Sequence, residues 1–168
     1  MLSETILRAV FGNPPMMGVP RTLHAQVIWL TLLGFTAVAA WFDARERRIP
    51  NVWNLSGLVV LLGLQVWSGA SISAFIAVFL TGLVMLLPTI YKVWGQGDWK
   101  MAMVYGAALG VLPTLVIWWL AMLMAKVYST ALKKDRVRQT RHVSKPGLPV
   151  AVFVLTASTF IFATLSFM

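Results

Sequence analysis

Apolar residues come in long runs separated by short polar, glycine- or proline-containing intervals, the pattern of helices that cross a lipid bilayer. The first run extends from about Ala25 to Phe42 and stops at Asp43. A charged interval, 43–51, leads to a second run from about Val52 to Trp67. Ser68-Gly-Ala-Ser71 reads as a turn, and a third run, about Ile72 to Tyr91, carries Pro88 near its end. Met101 to Ala125 is apolar throughout but contains Gly110-Val-Leu-Pro113. A last run covers about Pro149 to Phe167. Residues 1–24, with Pro14, Pro15, Gly18 and Pro20, read as a loose tail with a short amphipathic turn near Ile6–Phe11.

Residues 101–125 have two readings. As one kinked span they have ample length. Divided at Gly110, each half covers only ~18–20 Å, against a hydrocarbon core of ~30 Å. Charge favours the division. With one crossing, five Lys/Arg lie on the face of Arg45, Arg47, Arg48, Lys92 and Lys100, and nine lie opposite. With two crossings the split is twelve against two, with only Arg8 and Arg21 on the minor side. The positive-inside bias prefers the second arrangement. The expected fold is therefore all-α: a polytopic transmembrane helical bundle of about six spans. Residues 1–24 form an extracytoplasmic tail. Residues 25–168 form one membrane-embedded domain, with cytoplasmic loops near 43–53, 92–100 and 127–147. The fourth and fifth spans are expected to be short, in a locally thin or water-accessible membrane.

Composition agrees with this class. The 168 residues are 59% hydrophobic and 11% charged, where a soluble domain carries about 25% charged residues. The net charge of +9 sits in short loops between apolar runs, which orients a membrane protein and attracts anionic lipid headgroups. It does not point to nucleic acid. The absence of cysteine excludes disulfides and cysteine-based zinc or redox sites. The first 23 residues hold no apolar run of signal-peptide length, so the first span is expected to act as an uncleaved anchor.

Two of the five acidic residues stand at the ends of apolar runs, where a carboxylate is costly and usually functional. Asp43 opens Asp43-Ala-Arg-Glu-Arg-Arg-Ile-Pro-Asn51. Asp98 ends Gly95-Gln-Gly-Asp98 and is followed by Trp99-Lys100. Gly95 and Gly97 allow positive φ and close backbone approach, so the loop can press Asp98 against another helix. Gly106 and Gly110, four residues apart, offer a small-residue face to a neighbouring helix. Pro50 makes Ile49-Pro50-Asn51 a rigid turn, after which Asn51 caps or starts the second span. Each motif has a plainer explanation. Asp98 can be a helix N-cap, and Asp43 can pair with Arg47 at i+4. Together they fit acid–base hydrolysis: one carboxylate takes a proton from water while the other donates one. Like charges at close range cannot both ionise, so such a pair holds one proton between them. No metal or other cofactor is needed.

The two motifs, D-x-R-x-R-x-I-P-N after the first span and G-x-G-D-x-K after the third, resemble those of type IV prepilin peptidases, membrane aspartyl endopeptidases of the GxGD type. The Lys145-Pro-Gly-Leu-Pro-Val150 segment is similar to the family's Pro/Gly-rich approach to its last helix. The resemblance implies Asp43 and Asp98 as the catalytic pair, with Gly95, Gly97, Lys100, Pro50 and Asn51 as supporting loop residues. It implies a pilin-like precursor as substrate, cut at the cytoplasmic face between a short basic leader and its apolar segment. Larger members add a region with paired CxxC motifs and N-methylate the new terminus. This chain has neither cysteines nor room for that region, and no glycine-rich nucleotide loop. It resembles the compact members serving Flp/Tad pili or archaeal preflagellins, and methyltransferase activity with S-adenosylmethionine is without support.

Two other functions share these features. Presenilin and signal-peptide-peptidase enzymes also carry GxGD, but their first aspartate lies in mid-helix, usually after Tyr, and a Pro-Ala-Leu triplet precedes the last helix. Here Asp43 ends its run after Phe42 and the triplet is absent. A small ion-coupled transporter could use two acids as an ion site, yet residues 25–91 and 92–168 show no internal symmetry. The remaining features are ordinary. Lys133–Arg141 reads as a solvated loop, and His24 and His142 are isolated from any ligand set. Trp41, Trp53, Trp67, Trp94 and Trp99 fall near span ends, as interfacial anchors do. Asn54-Leu-Ser56 matches a glycosylation sequon on the wrong side of the membrane. Lys100 can bias the charge of Asp98 or extend to the interface.

Overall fold

In a computed structural model the described residues are 2–12, 22–92, 94–136 and 150–167, with side chains at all but 132–136 and 167. They form seven helices and no strand: α1 Leu2–Phe11, α2 Leu23–Glu46, α3 Asn51–Trp67, α4 Ser71–Ile90, α5 Gln96–Leu109, α6 Val111–Arg136 and α7 Val150–Phe167. Three of them, α2, α4 and the 111–131 part of α6, are long and apolar enough to cross a membrane. The chain is an all-α bundle of a membrane protein. Its outside is apolar: Leu30, Val59, Phe79, Leu87, Trp119 and Phe160 are all more than half exposed. Such a belt suits hydrocarbon better than water.

Local chemistry sets the helix ends. Thr22 caps α2, its hydroxyl accepting the Ala25 N–H at 3.3 Å. Arg47 closes that helix in the left-handed region, φ 55°, and its N–H donates to the Asp43 carbonyl at 3.1 Å. Pro50 then holds the cap position of α3 and Asn51 is its first helical residue.

Gly110 divides the 101–125 stretch. Its φ of +91° is open to glycine and strained for other residues. A Cβ there would also lie 2.7 Å from the Gly12 nitrogen, at the end of α1. Pro113 sits in the first turn of α6, where a missing N–H costs nothing. The chain doubles back at this point. Tyr105 and Trp118 rings are 5.0 Å apart, whereas thirteen residues of straight helix would separate them by about 19 Å. Tyr128, further along α6, meets Phe153 near the start of α7 at 5.6 Å. The late part of α6 thus returns to the end of the bundle where α5 and α7 begin.

Two expectations change here. The fifth apolar segment is not short, because α6 continues through Lys133, Lys134 and Arg136, residues with good helix propensity, where a loop from 127 was expected. The N-terminal segment is more ordered than a loose tail. α1 is a full ten-residue helix with Ala9 buried against α4 and α6. Arg21, Pro14, Pro15, Gly18, Pro20, Arg138, Arg141, His142 and the 145–149 part of the approach to the last helix lie outside the described residues.

The interior centres on α5, whose residues 101–109 are buried except Met103. Gly106 is the close-approach position anticipated from its spacing. A Cβ there would stand 2.8 Å from Thr81 Cβ and 3.1 Å from the Ala77 carbonyl oxygen of α4. The Trp99 indole N–H also donates to the Gly82 carbonyl at 2.7 Å, so α4 and α5 run antiparallel in direct backbone contact. On the other side Gln65 of α3 donates to the carbonyls of Ala107 and Ala108 at 3.1 and 2.8 Å. These acceptors belong to the last turn of α5, where carbonyls lack helical partners.

Candidate active site

Asp43 occupies the last turn of α2 and Asp98 the first turn of α5. Asp43 is partly buried, and its Oδ2 accepts the Ala151 N–H at 3.0 Å. Ala151 is the second residue of α7, whose leading N–H groups have no helical acceptors. The last helix of the chain therefore holds the first aspartate. Burial nevertheless raises the Asp43 pKa, and the Ala151 N–H and the Arg47 charge only partly oppose it.

Asp98 is the third residue of α5, and its Oδ2 accepts the Gly95 N–H at 3.1 Å. This is the returning half of a capping box, so the N-cap explanation of Asp98 is partly realised. The flanking glycines act differently from expectation. Gly95 has φ −75°, which any residue adopts, and Gly97 lies in the helix. Neither uses positive φ. What glycine provides is clearance: a Cβ on Gly95 would lie 3.3 Å from Asp98 Oδ2.

The two aspartate loops meet at one end of the bundle. Lys100 Nζ donates to Asn51 Oδ1 at 2.8 Å, joining α5 to the start of α3. Ile49 is buried, and its Cβ is 3.8 Å from where a Gly97 Cβ would stand. Pro50 fixes the turn between those two contacts. Lys100 thus ties the loops together, a partner that its position two residues after Asp98 did not reveal.

Electrostatics links the two carboxylates. Burial pushes the Asp98 pKa up to about 6 from the usual 3.8; the Gly95 N–H opposes this and the negative charge of Asp43 adds to it. Asp98 thus keeps its proton up to about pH 6, well above the range of an ordinary carboxyl. Among the described residues no three His, Cys, Asp or Glu side chains group as metal ligands would.

Several features here carry no sequence signal. The Asp43 partner is a backbone N–H, which any residue but proline at 151 supplies. Asn54, part of the discounted sequon, is 4% exposed, and neither of its amide atoms has a hydrogen-bond partner among the described residues. It lies one turn along α3 from Asn51. Trp53, read as an interfacial anchor, donates to the Phe35 carbonyl at 3.2 Å and stacks on the Phe35 ring, fastening α3 to α2.

No curated protein and no solved structure matches the chain. A family model, that of the type IV leader peptidases, matches residues 30–130, which include both aspartate segments and the helices between them. The chain belongs to the type IV leader peptidase family and is a membrane peptidase.

Proposed function

We propose that the protein is an aspartyl endopeptidase that removes the short basic leader from pilin-like precursors of the Flp/Tad or preflagellin kind, with Asp43 and Asp98 as its catalytic pair. The observation that carries this reading is the electrostatic proximity of the two carboxylates, each held by a backbone N–H, at one end of the bundle. Asp43, held by Ala151 at a helix N-terminus, is the ionised partner and takes a proton from water. The resulting hydroxide adds to the scissile carbonyl carbon, while protonated Asp98 donates to the carbonyl oxygen. As the tetrahedral diol collapses, the proton gained by Asp43 passes to the leaving amine, one diol hydroxyl returns its proton to Asp98, and the C–N bond breaks to leave a carboxylic acid and a free amine. Atoms and charge balance without metal or cofactor, and N-methylation is not part of the reaction.

Topology follows from charge. The aspartate loops and the part of α6 that carries Lys126 and Tyr128 share one end of the bundle, which the positive-inside bias assigns to the cytoplasm. The 1–24 segment then lies outside, and 25–168 form the peptidase domain in the cytoplasmic membrane. The supporting residues hold the loops: Gly95 gives Asp98 clearance, Gly97 lies against Ile49, Pro50 fixes the turn, and Lys100 grips Asn51. Co-expression with candidate precursors tests the reading. The wild type yields a product shortened by the leader; a precursor cut inside its apolar segment instead would favour the presenilin-like alternative.

A further inference from the structure

We propose that Tyr105 is a positioning residue for the peptidase, its hydroxyl locking α2, α5 and α7 at one depth and so fixing how far apart Asp43 and Asp98 stand. This rests on the reading of those two residues as the catalytic pair. Tyr105 is fully buried, with its hydroxyl 2.6 Å from Thr36 Oγ1 of α2 and 2.8 Å from Ser158 Oγ of α7. Thr36 and Ser158 are also fully buried.

The register is the same on all three helices. Thr36 lies seven residues before Asp43, Tyr105 seven after Asp98, and Ser158 seven after Ala151, whose N–H holds Asp43. Seven residues are two helical turns within about 20°, so each pair shares a helix face, about 10.5 Å apart along the axis. The three hydroxyls therefore form a layer two turns beneath the layer that contains Asp43, Asp98 and the Ala151 N–H. Among the described residues, the Thr36–Tyr105 contact is the one hydrogen bond joining α2 to α5. The aspartates belong to those two helices.

The layer is also short of protons, which makes it sensitive to register. Thr36 Oγ1 is 2.7 Å from the Leu32 carbonyl and Ser158 Oγ is 2.7 Å from the Val154 carbonyl. With the two contacts to Tyr105 there are four close contacts and three hydroxyl protons. Removing the phenol oxygen leaves Thr36 and Ser158 each free to donate within its own helix. The phenylalanine variant thus loses the tie between helices without leaving either hydroxyl unpaired, and it should fold.

The test uses the full chain in lipid nanodiscs with a purified precursor, comparing Tyr105→Phe, Thr36→Val, Ser158→Ala and Asp98→Asn. Displacements near 1 Å can cost about a hundredfold in rate, so Tyr105→Phe is expected to lower kcat about tenfold or more with KM within about twofold. Thr36→Val and Ser158→Ala should fall between it and the wild type. The upper inflection of the pH profile should move toward lower pH as the charge of Asp43 recedes from Asp98. A second readout is independent of cleavage. The chain has no cysteine, so nitroxides on Ala44→Cys and Gln96→Cys, both exposed, report the separation of the two helix ends by pulsed dipolar spectroscopy. Tyr105→Phe should broaden or shift that distance distribution. Wild-type kcat in Tyr105→Phe, or a loss explained by the unfolded fraction alone, overturns the proposal. If Asp98→Asn still cleaves, the catalytic pair is wrong, and an unchanged distance distribution then overturns the clamp as well.

Discussion

Replacing Gly106 by alanine tests how tightly the α4–α5 contact sets the position of Asp98. The added Cβ would stand 2.8 Å from Thr81 Cβ and 3.1 Å from the Ala77 carbonyl oxygen, where carbon contacts settle at about 3.5–4.0 Å. Thr81 is β-branched and fully buried, and the Ala77 oxygen is backbone, so neither can swing aside. The helices must part by about 1 Å. Overpacking of this kind costs about 1–3 kcal/mol, offset by about 1 kcal/mol from replacing a helical glycine. A net loss of up to about 2 kcal/mol is expected. Asp98 lies eight residues back along α5; if the helix moves as a body, the carboxylate shifts by a similar distance, for a ten- to hundredfold loss of cleavage. Gly63→Ala is the control, since a Cβ there meets nothing within 4 Å, and it should leave both melting and cleavage intact. Adding Thr81→Gly to Gly106→Ala should restore part of the rate. Thermal melting in detergent and precursor cleavage in membranes read both effects. Wild-type melting and cleavage in Gly106→Ala would refute the reasoning.

Three further outcomes are expected. Because the Asp98 pKa is raised to about 6, the proton it donates is present below that pH and lost above it, so kcat/KM should fall as pH rises from about 6 to 8. The same raised pKa makes Asp98 bind its proton more tightly when folded, so its contribution to stability declines between pH 3.8 and about 6 and is level above. A cleavage rate flat across pH 5–8 would contradict this assignment. Asn54→Leu removes a buried amide without partners among the described residues and should raise the melting temperature, by the equivalent of about 1 kcal/mol or more, with cleavage preserved. A lower melting temperature would show that the amide is satisfied in the membrane.

Much of this architecture was legible in the sequence, because helices facing lipid must be long and apolar and their ends must carry the polar residues. Gly110 and Pro113 marked the reversal between α5 and α6, and Gly106 marked the close contact with α4. The two aspartates stood out for their cost. What escaped were relations between segments far apart in the chain. The N–H of Ala151 that holds Asp43 is backbone and leaves no trace in residue type. Thr36, Tyr105 and Ser158 are unremarkable one by one, and their common seven-residue offset has meaning only once three helices are known to pack together. The acidic residue nearest Lys100 in sequence is Asp98, whereas the partner of Lys100, Asn51, comes from the other loop. The charge of the basic residues that continue α6 suggests a solvated loop, yet lysine and arginine extend helices readily.

The central claim is that Asp43 and Asp98 act together on a peptide bond. It is tested most directly by measuring leader removal with purified wild type, Asp43→Asn and Asp98→Asn, each shown to insert in the membrane and melt as one species. Positioned acid–base groups contribute about 10²–10⁴ in rate, so each variant alone should lose at least a hundredfold, and the double variant little more than either. Cleavage within a few-fold of wild type by either variant would contradict the account.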